Sequence, residues 1–321
     1  MRKINTYLYG VVILMLMLSC AISCSAAGSK YAAKVNGEGI KSVTLEAAID
    51  NFIENQKLLG MTFEEGDKDR LRTDILEELI SAELLYQESK KSGLGDLTKE
   101  VEEQLDNIKS GFESDKEFND ILKERGIAVK DLKEDIRKGV YIKEFLEKNI
   151  YTDVAVSEEE KKTSYEENKD RFNVPEQVKV SHILIRVEKS ASPEEKDAAN
   201  KKIEELRKRV VSGEDFAELA KENSEDASGP RGGDLGYFRR GVILKSLEDV
   251  AFGLEKDEIS EVVETDFGYH IIKLADRKAP HTLSYSEVEA NLGRMLLEQR
   301  RKETLDKFIA GLREKAKIER F

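Results

Sequence analysis

The sequence predicts an α+β protein: an all-helical domain built from both ends of the chain, with a small α/β domain inserted in it. The inserted domain is expected to be a small antiparallel sheet flanked by helices. Three observations carry this. First, the four prolines are Pro175, Pro193, Pro230 and Pro280, so nothing between residues 25 and 174 must interrupt helical hydrogen bonding. Second, Leu71, Ile75, Leu79, Ala82 and Tyr86 recur at spacings of three and four, one apolar face of a helix. Third, the character changes between Pro175 and Pro280. There "VKVSHILIRV" and "FGYHIIKL" alternate as strands, and "RGGDLGYFRRG" supplies a glycine turn.

The helical domain is expected over 31–173. It opens with "AKVNGEGI", whose Asn-Gly pair predicts a hairpin turn. A helix follows from Asp67 and stops at Gly93. Two more are expected from Thr98 to Arg125 and from Val129 to Asn149. Ser157 and Glu160 form a capping-box pattern that starts another, ending near Phe172. In the inserted domain, 174–279, Ser192-Pro193 opens a helix with proline at its first position, and a second helix lies at Asp215–Glu222. After Pro280, residues 280–321 turn helical again. Ser286 and Glu289 match a capping box, and Val288, Leu292, Met295, Leu305, Ile309 and Leu312 form an apolar stripe. One helix cannot bury that stripe alone, so it is expected to pack back on the N-terminal helices. The terminal "AKIERF" is a candidate strand partner for "AKVNGEGI".

Residues 1–24 form a targeting segment. Arg2 and Lys3 precede an apolar run from Leu8 to Leu18, and no charge follows until Lys30. That run is too short to span a bilayer and suits a secretory signal. The two cysteines, Cys20 and Cys24, sit just beyond it, so the folded body contains none to form a disulfide. "MLSC" and "AISC" resemble bacterial lipoprotein boxes, in which the cysteine is acylated. Neither has leucine three places before the cysteine. Cys20 is preferred because the apolar run leads into it, Cys24 is the alternative, and an ordinary cleaved signal is a third reading. Acylation would attach the chain to a membrane through an N-terminal lipid anchor and leave a water-soluble body, as a lipoprotein on the periplasmic face or cell surface of a bacterium.

Charged residues make up 37% of the 321, and the net charge is −12. Losing residues 1–23 removes Arg2 and Lys3 and no acid, which takes the charge to −14. An acidic body of this kind excludes nucleic acid as a partner, because phosphate contacts need a basic face.

Candidate chemistry lies between Pro175 and Pro280. Val178, Val180, His182 and Leu184 share one face of the first strand, and His270, Ile272 and Leu274 one face of the last. Two of the three histidines thus stand among aliphatic residues on two strands of one small domain. A lone buried histidine would simply be bonded to backbone; a pair raises the expectation that they meet. The pair is short of ligands for a metal, and no nucleophile elbow is present for a hydrolytic triad.

"SHILI", "RGGDLGYFRRG", "AFGLEKDEIS" and "TDFGYHIIKL", in that order, resemble a parvulin-type peptidyl-prolyl cis-trans isomerase domain from Pro175 to about Arg277. "VNG" near the start, "VSEEEKKTSYEENKDRFNVPEQVKVSHIL" and the returning helix resemble the chaperone part of the SurA and PrsA group of extracytoplasmic foldases. The resemblance implies a catalytic set of His182, Asp226, Thr265 and His270. It implies a proline pocket of Leu235, Ile243 and Leu247 with Phe238 nearby. The family usually reads Met-x-x-Pro-Ala-Phe after the glycine turn, where this chain has "VILKSLEDVAF"; Leu247 keeps an apolar wall but not an aromatic one. The loop "RVEKSASPEEK" is mixed in charge, against a phosphate-specific site.

The implied reaction breaks no bond, so it requires no nucleophile, metal or cofactor. The expected partners are unfolded or nascent exported polypeptides with X-Pro bonds. The alternative function is a non-catalytic holdase chaperone with a degenerate parvulin domain.

Overall fold

The computed structural model describes residues 29–321 apart from 64, 125 and 126. Cys20 and Cys24, with the rest of the targeting segment, lie outside the described residues. The chain divides into two compact units, one of residues up to Val156 together with Gly293–Phe321, the other Ser157–Leu292. Segments 157–173 and 280–292 therefore group with the sheet-bearing unit.

The helical unit opens with the expected hairpin. Strands β1 (Tyr31–Val35) and β2 (Glu38–Lys41) pair antiparallel, and Asn36 and Gly37 take the positive φ values of 53° and 94° that a two-residue turn needs. Helix α1 (Ser42–Leu58) lays Leu45, Ile49 and Ile53 against Leu71 and Ile75 of α2 (Glu65–Lys91). Gly93 follows α2 with φ 70°.

Where one helix is expected over 98–125, there are two, α3 (Thr98–Lys109) and α4 (Asp115–Glu124). The sequence "SGFES" separates them. Ser114 Oγ accepts from Glu117 N at 3.1 Å as an N-cap, and the Glu117 carboxylate accepts from Glu113 N, just before the cap, at 2.7 Å, so a new helix starts here. The break lets Phe118 and Leu122 fold back on Val101, Leu105 and the next helix, α5 (Val129–Phe145).

In the second unit, α6 (Glu158–Glu167) starts at the expected box of Ser157 and Glu160. A short strand β3 (Asn173–Val174) leads into β4 (Gln177–Arg186), the central strand. Then come α7 (Pro193–Val211), capped by Ser192, and α8 (Phe216–Asn223), capped by Asp215. Strand β5 (Asp234–Arg239), helix α9 (Lys245–Gly253), and strands β6 (Val263–Thr265), β7 (Gly268–Lys278) and β8 (His281–Thr282) complete it. The antiparallel sheet runs β5-β4-β7-β6, and β3 pairs with β8.

The sheet is covered on both faces at its centre, so burial is unbroken over His182–Ile185 of β4 and His270–Ile272 of β7, while the rest of each strand alternates. Ile183, Ile185 and Ile271 pack under α7 and α8 with Ile203, Leu206 and Leu219. On the opposite face Val178, Val180, Ile272 and Leu274 pack with Phe238, Leu247 and Phe252. The histidines lie on this second face.

Helix α10 (Tyr285–Lys315) is capped by Ser284, not Ser286. Ser284 donates through both its backbone N–H and its hydroxyl to Glu287, at 2.7 and 2.6 Å. Glu289 is instead held by Lys161 at 3.0 Å. Within the helical unit, Leu305 and Ile309 pack on Leu85, Ile142 and Phe145, as the returning helix requires. Met295, expected in the stripe, is 55% exposed. Strand β9 (Ile318–Arg320) pairs antiparallel with β1, Ala33 opposite Arg320.

Candidate functional site

The register of β4 and β7 sets His182 opposite Ile272 and Leu184 opposite His270. The two histidines are thus diagonal neighbours on one face, within reach of each other's rings. Their rings are inclined by 24° with centroids 5.5 Å apart, and Nδ1 of one is 3.4 Å from Nδ1 of the other. Both are buried, 5% and 3% exposed.

Each imidazole has a second neighbour. Thr265, at the end of β6, places Oγ1 2.8 Å from His270 Nε2. Asp226 Oδ1 is 3.1 Å from His182 Nε2, close but without the alignment of a hydrogen bond. The four side chains form one line: Asp226, His182, His270, Thr265.

Backbone constraints hold that line. Gly233 accepts from His182 N at 3.0 Å. It has φ 76°, and a Cβ there would lie 2.1 Å from His182 O. Only glycine allows β5 to approach β4 so closely. Gly268, at φ 133°, would bring a Cβ within 2.2 Å of Ile185 O on the other side.

Asp226 sits in the loop after α8. The loop is tied to β4 by Leu184 N, which donates to Ser224 Oγ at 3.1 Å. Ser228, 2% exposed, donates to Asp226 Oδ1 through its N–H at 2.8 Å and its hydroxyl at 2.6 Å. Burial pushes the Asp226 carboxyl up, but these two bonds and His182 outweigh it and hold it well below the usual carboxylate range. Its side chain stays 26% exposed, so an anion is presented at the surface of an otherwise buried array.

That anion selects the proton pattern. Facing a carboxylate, His182 Nε2 carries its proton, and Nδ1 accepts from His270 Nδ1–H. His270 Nε2 then takes the Thr265 hydroxyl proton in preference to the more distant Gly268 O at 3.3 Å, while Oγ1 itself accepts the N–H of Phe267 at 3.1 Å. The reverse order would set a bare nitrogen lone pair against Asp226.

Burial, and then the neighbouring His182, bring His270 down from 6.5 to about 4, against a smaller opposing effect of Asp226. The unfolded chain takes up this proton near pH 6.5 and the folded chain only near 4. Stability is therefore whole above 6.5 and falls as pH drops towards 4, by about 3 kcal/mol from this group. Chemical denaturation across that range should show the slope in the native chain and a flatter curve in His270→Gln. Identical slopes would contradict the buried neutral imidazole.

The apolar residues divide into two groups. Phe238 and Leu247, each 6% exposed, lie inside the cluster on the histidine face, and Phe238 meets Phe252 edge-on at 6.2 Å. Ile243 packs half-buried against that cluster, and Leu235 is 36% exposed. A bulge explains Leu235. Tyr237 pairs with Lys179 but Asp234 with Ser181, so β5 advances three residues against two, around Gly236 at φ 71°. The extra residue puts Leu235 and Phe238 on the same face as His182. Leu235 and Ile243 leave apolar surface open on this face, whereas Phe238 and Leu247 are buried in the cluster.

Sequence reading missed Ser224, Ser228 and Glu248. The spacing Asp-x-Ser at Asp226 and Ser228 is a turn signal that could have found one of them. Glu248, 8% exposed, accepts from Gly241 N and so ties α9 to the turn that carries Ile243. Arg240 in that turn stacks over Phe252 at 4.2 Å. The third histidine, His281, is exposed on β8. Among the described residues no cluster of His, Cys, Asp and Glu is arranged to hold a metal ion.

Two family models match the chain: a PPIC-type peptidyl-prolyl isomerase domain over residues 161–278 and a SurA-like N-terminal domain over residues 1–146. The chain is 32% identical to a foldase protein PrsA of Caldanaerobacter subterraneus, across 100% of this chain and 96% of the relative. It is 34% identical to PrsA of Halalkalibacterium halodurans, covering 77% and 69% respectively. Against PrsA of a Geobacillus species the identity is 32%, covering 69% and 70%.

Proposed function

The chain belongs to the PrsA foldase family, and from that premise we propose that His182, Asp226, Thr265 and His270 form the catalytic centre of its isomerase domain. The protein is a peptidyl-prolyl cis-trans isomerase with chaperone function in protein folding. Its substrates are unfolded polypeptides. The observation that carries the site assignment is the ionised, part-exposed Asp226 at the end of a buried histidine pair, beside the apolar surface of Leu235 and Ile243.

Rotation about a peptide bond faces a barrier of about 18–20 kcal/mol, while the two X-Pro isomers differ by only about 0.5–1 kcal/mol. Catalysis therefore needs only tighter binding of the twisted amide than of either planar form. The planar amide is charge-separated, with extra negative charge on oxygen. A carboxylate beside that oxygen repels the planar form more than the twisted one. Leu235 and Ile243 receive the pyrrolidine ring and hold it equally in the planar and twisted forms. The histidines hold Asp226 in place and exchange no proton with the substrate.

Cis/trans exchange of a short Ala-Pro peptide tests the pocket. The full chain accelerates it, and Leu235→Ser should raise KM roughly tenfold, the scale of a lost apolar contact, with kcat little changed. An unchanged KM would contradict the placement of the proline ring.

We further propose that the chain works outside the cytoplasm as a lipoprotein, acylated at Cys20 with Cys24 as the alternative. The short apolar run before Cys20 supports this, and no described helix is long and apolar enough to cross a membrane. Mass spectrometry of the mature N-terminal peptide should find a diacylglyceryl mass on Cys20. An unmodified N-terminus beyond residue 24 would contradict it.

A further inference from the structure

The helical unit contains a cleft of about 250 Å³ between α3 and α5. Its floor is apolar, made by the buried Ile108, Leu132, Ile136 and Val140. Its walls carry Glu100 and Glu103 from α3 and Asp135 and Glu144 from α5, against one lining base, Lys143. Glu103 and Glu144 have exposed partners four residues away, Lys99 at 3.4 Å within α3 and Lys148 at 3.0 Å in the turn that follows α5. Surface pairs of this kind are weak and exchange readily.

Asp135 is different. It is half-buried, and its carboxyl is pushed up to about 6. Burial is the largest cause; Asp131 and Glu134 add to it, while Lys138 and Lys41 oppose it. The site therefore combines an apolar floor with a carboxylate whose charge is poorly compensated.

We propose that this cleft docks a Lys or Arg side chain of an unfolded polypeptide, its aliphatic stem on the floor and its cation against Asp135 and Glu100. This rests on the reading of the protein as a chaperone. Lys and Arg are the side chains that join a long apolar stem to a charge. A purely apolar side chain would strip water from Asp135 and return nothing. An acidic one would meet four carboxylates. The volume takes one long side chain, not a helix or a folded surface.

The test is fluorescence anisotropy of the full chain with labelled Ala-Leu-Lys-Leu-Ala and its Gln and Glu counterparts. These peptides contain no proline and so do not engage the isomerase site. The Lys peptide should bind at least ~10-fold tighter than the Gln peptide, a preference of the size a part-buried ion pair gives. Asp135→Asn should abolish the preference, as should lowering the pH to about 5, where Asp135 is protonated. Glu100→Gln, on the exposed wall of α3, should reduce it about threefold without risk to the fold. Equal binding of the three peptides, or a preference that survives Asp135→Asn, would overturn the proposal. Suppression of client aggregation is measured on the same samples. If it persists while peptide discrimination is absent, the cleft assignment alone fails; if both are absent, the chaperone reading fails with it.

Discussion

Gly233→Ala should unfold the sheet-bearing unit or leave it barely stable. The new methyl group would lie 2.1 Å from His182 O, well inside contact distance, and that oxygen belongs to the central strand. Neither side can yield cheaply. β4 is fixed between β5 and β7, and His182 N already donates to Gly233 O at 3.0 Å. The φ of 76° adds about 1–2 kcal/mol for any residue with a Cβ. Together with the lost strand bond and the repacking, a cost above ~4 kcal/mol is expected, at the extreme of single substitutions. Denaturation followed by circular dichroism should lose the transition of this unit, and amide exchange should show β4 and β7 unprotected. A native-like midpoint would contradict the approach of β5 to β4.

Asp226→Asn should lower kcat/KM for Ala-Pro exchange about 100-fold, equivalent to about 2.7 kcal/mol of barrier, and leave KM nearly unchanged. The substitution keeps size and the ability to accept from Ser228 but removes the charge. Because the proposed role of Asp226 is to penalise the planar amide, its loss falls on the chemical step and not on binding. A second consequence separates charge from geometry. Asn can turn its amide NH2 towards His182, so the proton order along the histidine pair is no longer imposed. The His270 ring signals should then report mixed tautomers. Unaltered kcat with an intact fold would remove Asp226 from the catalytic set.

The hairpin, β4 and β7 with their histidines were legible because strand alternation has a period of two; β5 was hidden inside a stretch read as a glycine turn, and β6 is too short to show a period. The meeting of the histidines followed from a shared face, but their diagonal contact needed the register, which no local pattern encodes. The break between α3 and α4 was hidden by good helix formers on both sides of "SGFES". Two overlapping boxes compete at the start of α10, Ser284 with Glu287 and Ser286 with Glu289, and only tertiary demand on Glu289 by Lys161 decides between them. Helix α9 was hidden because Leu247 was read as a pocket residue matched to a motif and not as part of a helical face. The hold of Ser228 on Asp226 and of Glu248 on the Gly241 turn join residues through loops, where sequence periodicity carries no signal. Leu247 read as pocket wall in sequence with Phe238 nearby, yet both are buried, because burial on a sheet face depends on what packs over it.

The account rests on an X-Pro amide twisting between Asp226 and the apolar surface of Leu235 and Ile243. The most direct measurement is an NMR titration of the isotope-labelled full chain with an Ala-Pro peptide under conditions of catalysed exchange. The account predicts shifts concentrated on the methyl groups of Leu235 and Ile243 and on the His182 ring, saturating with the same peptide concentration that saturates the exchange rate. Catalysed exchange accompanied by shifts elsewhere, with those three residues unmoved, would contradict it.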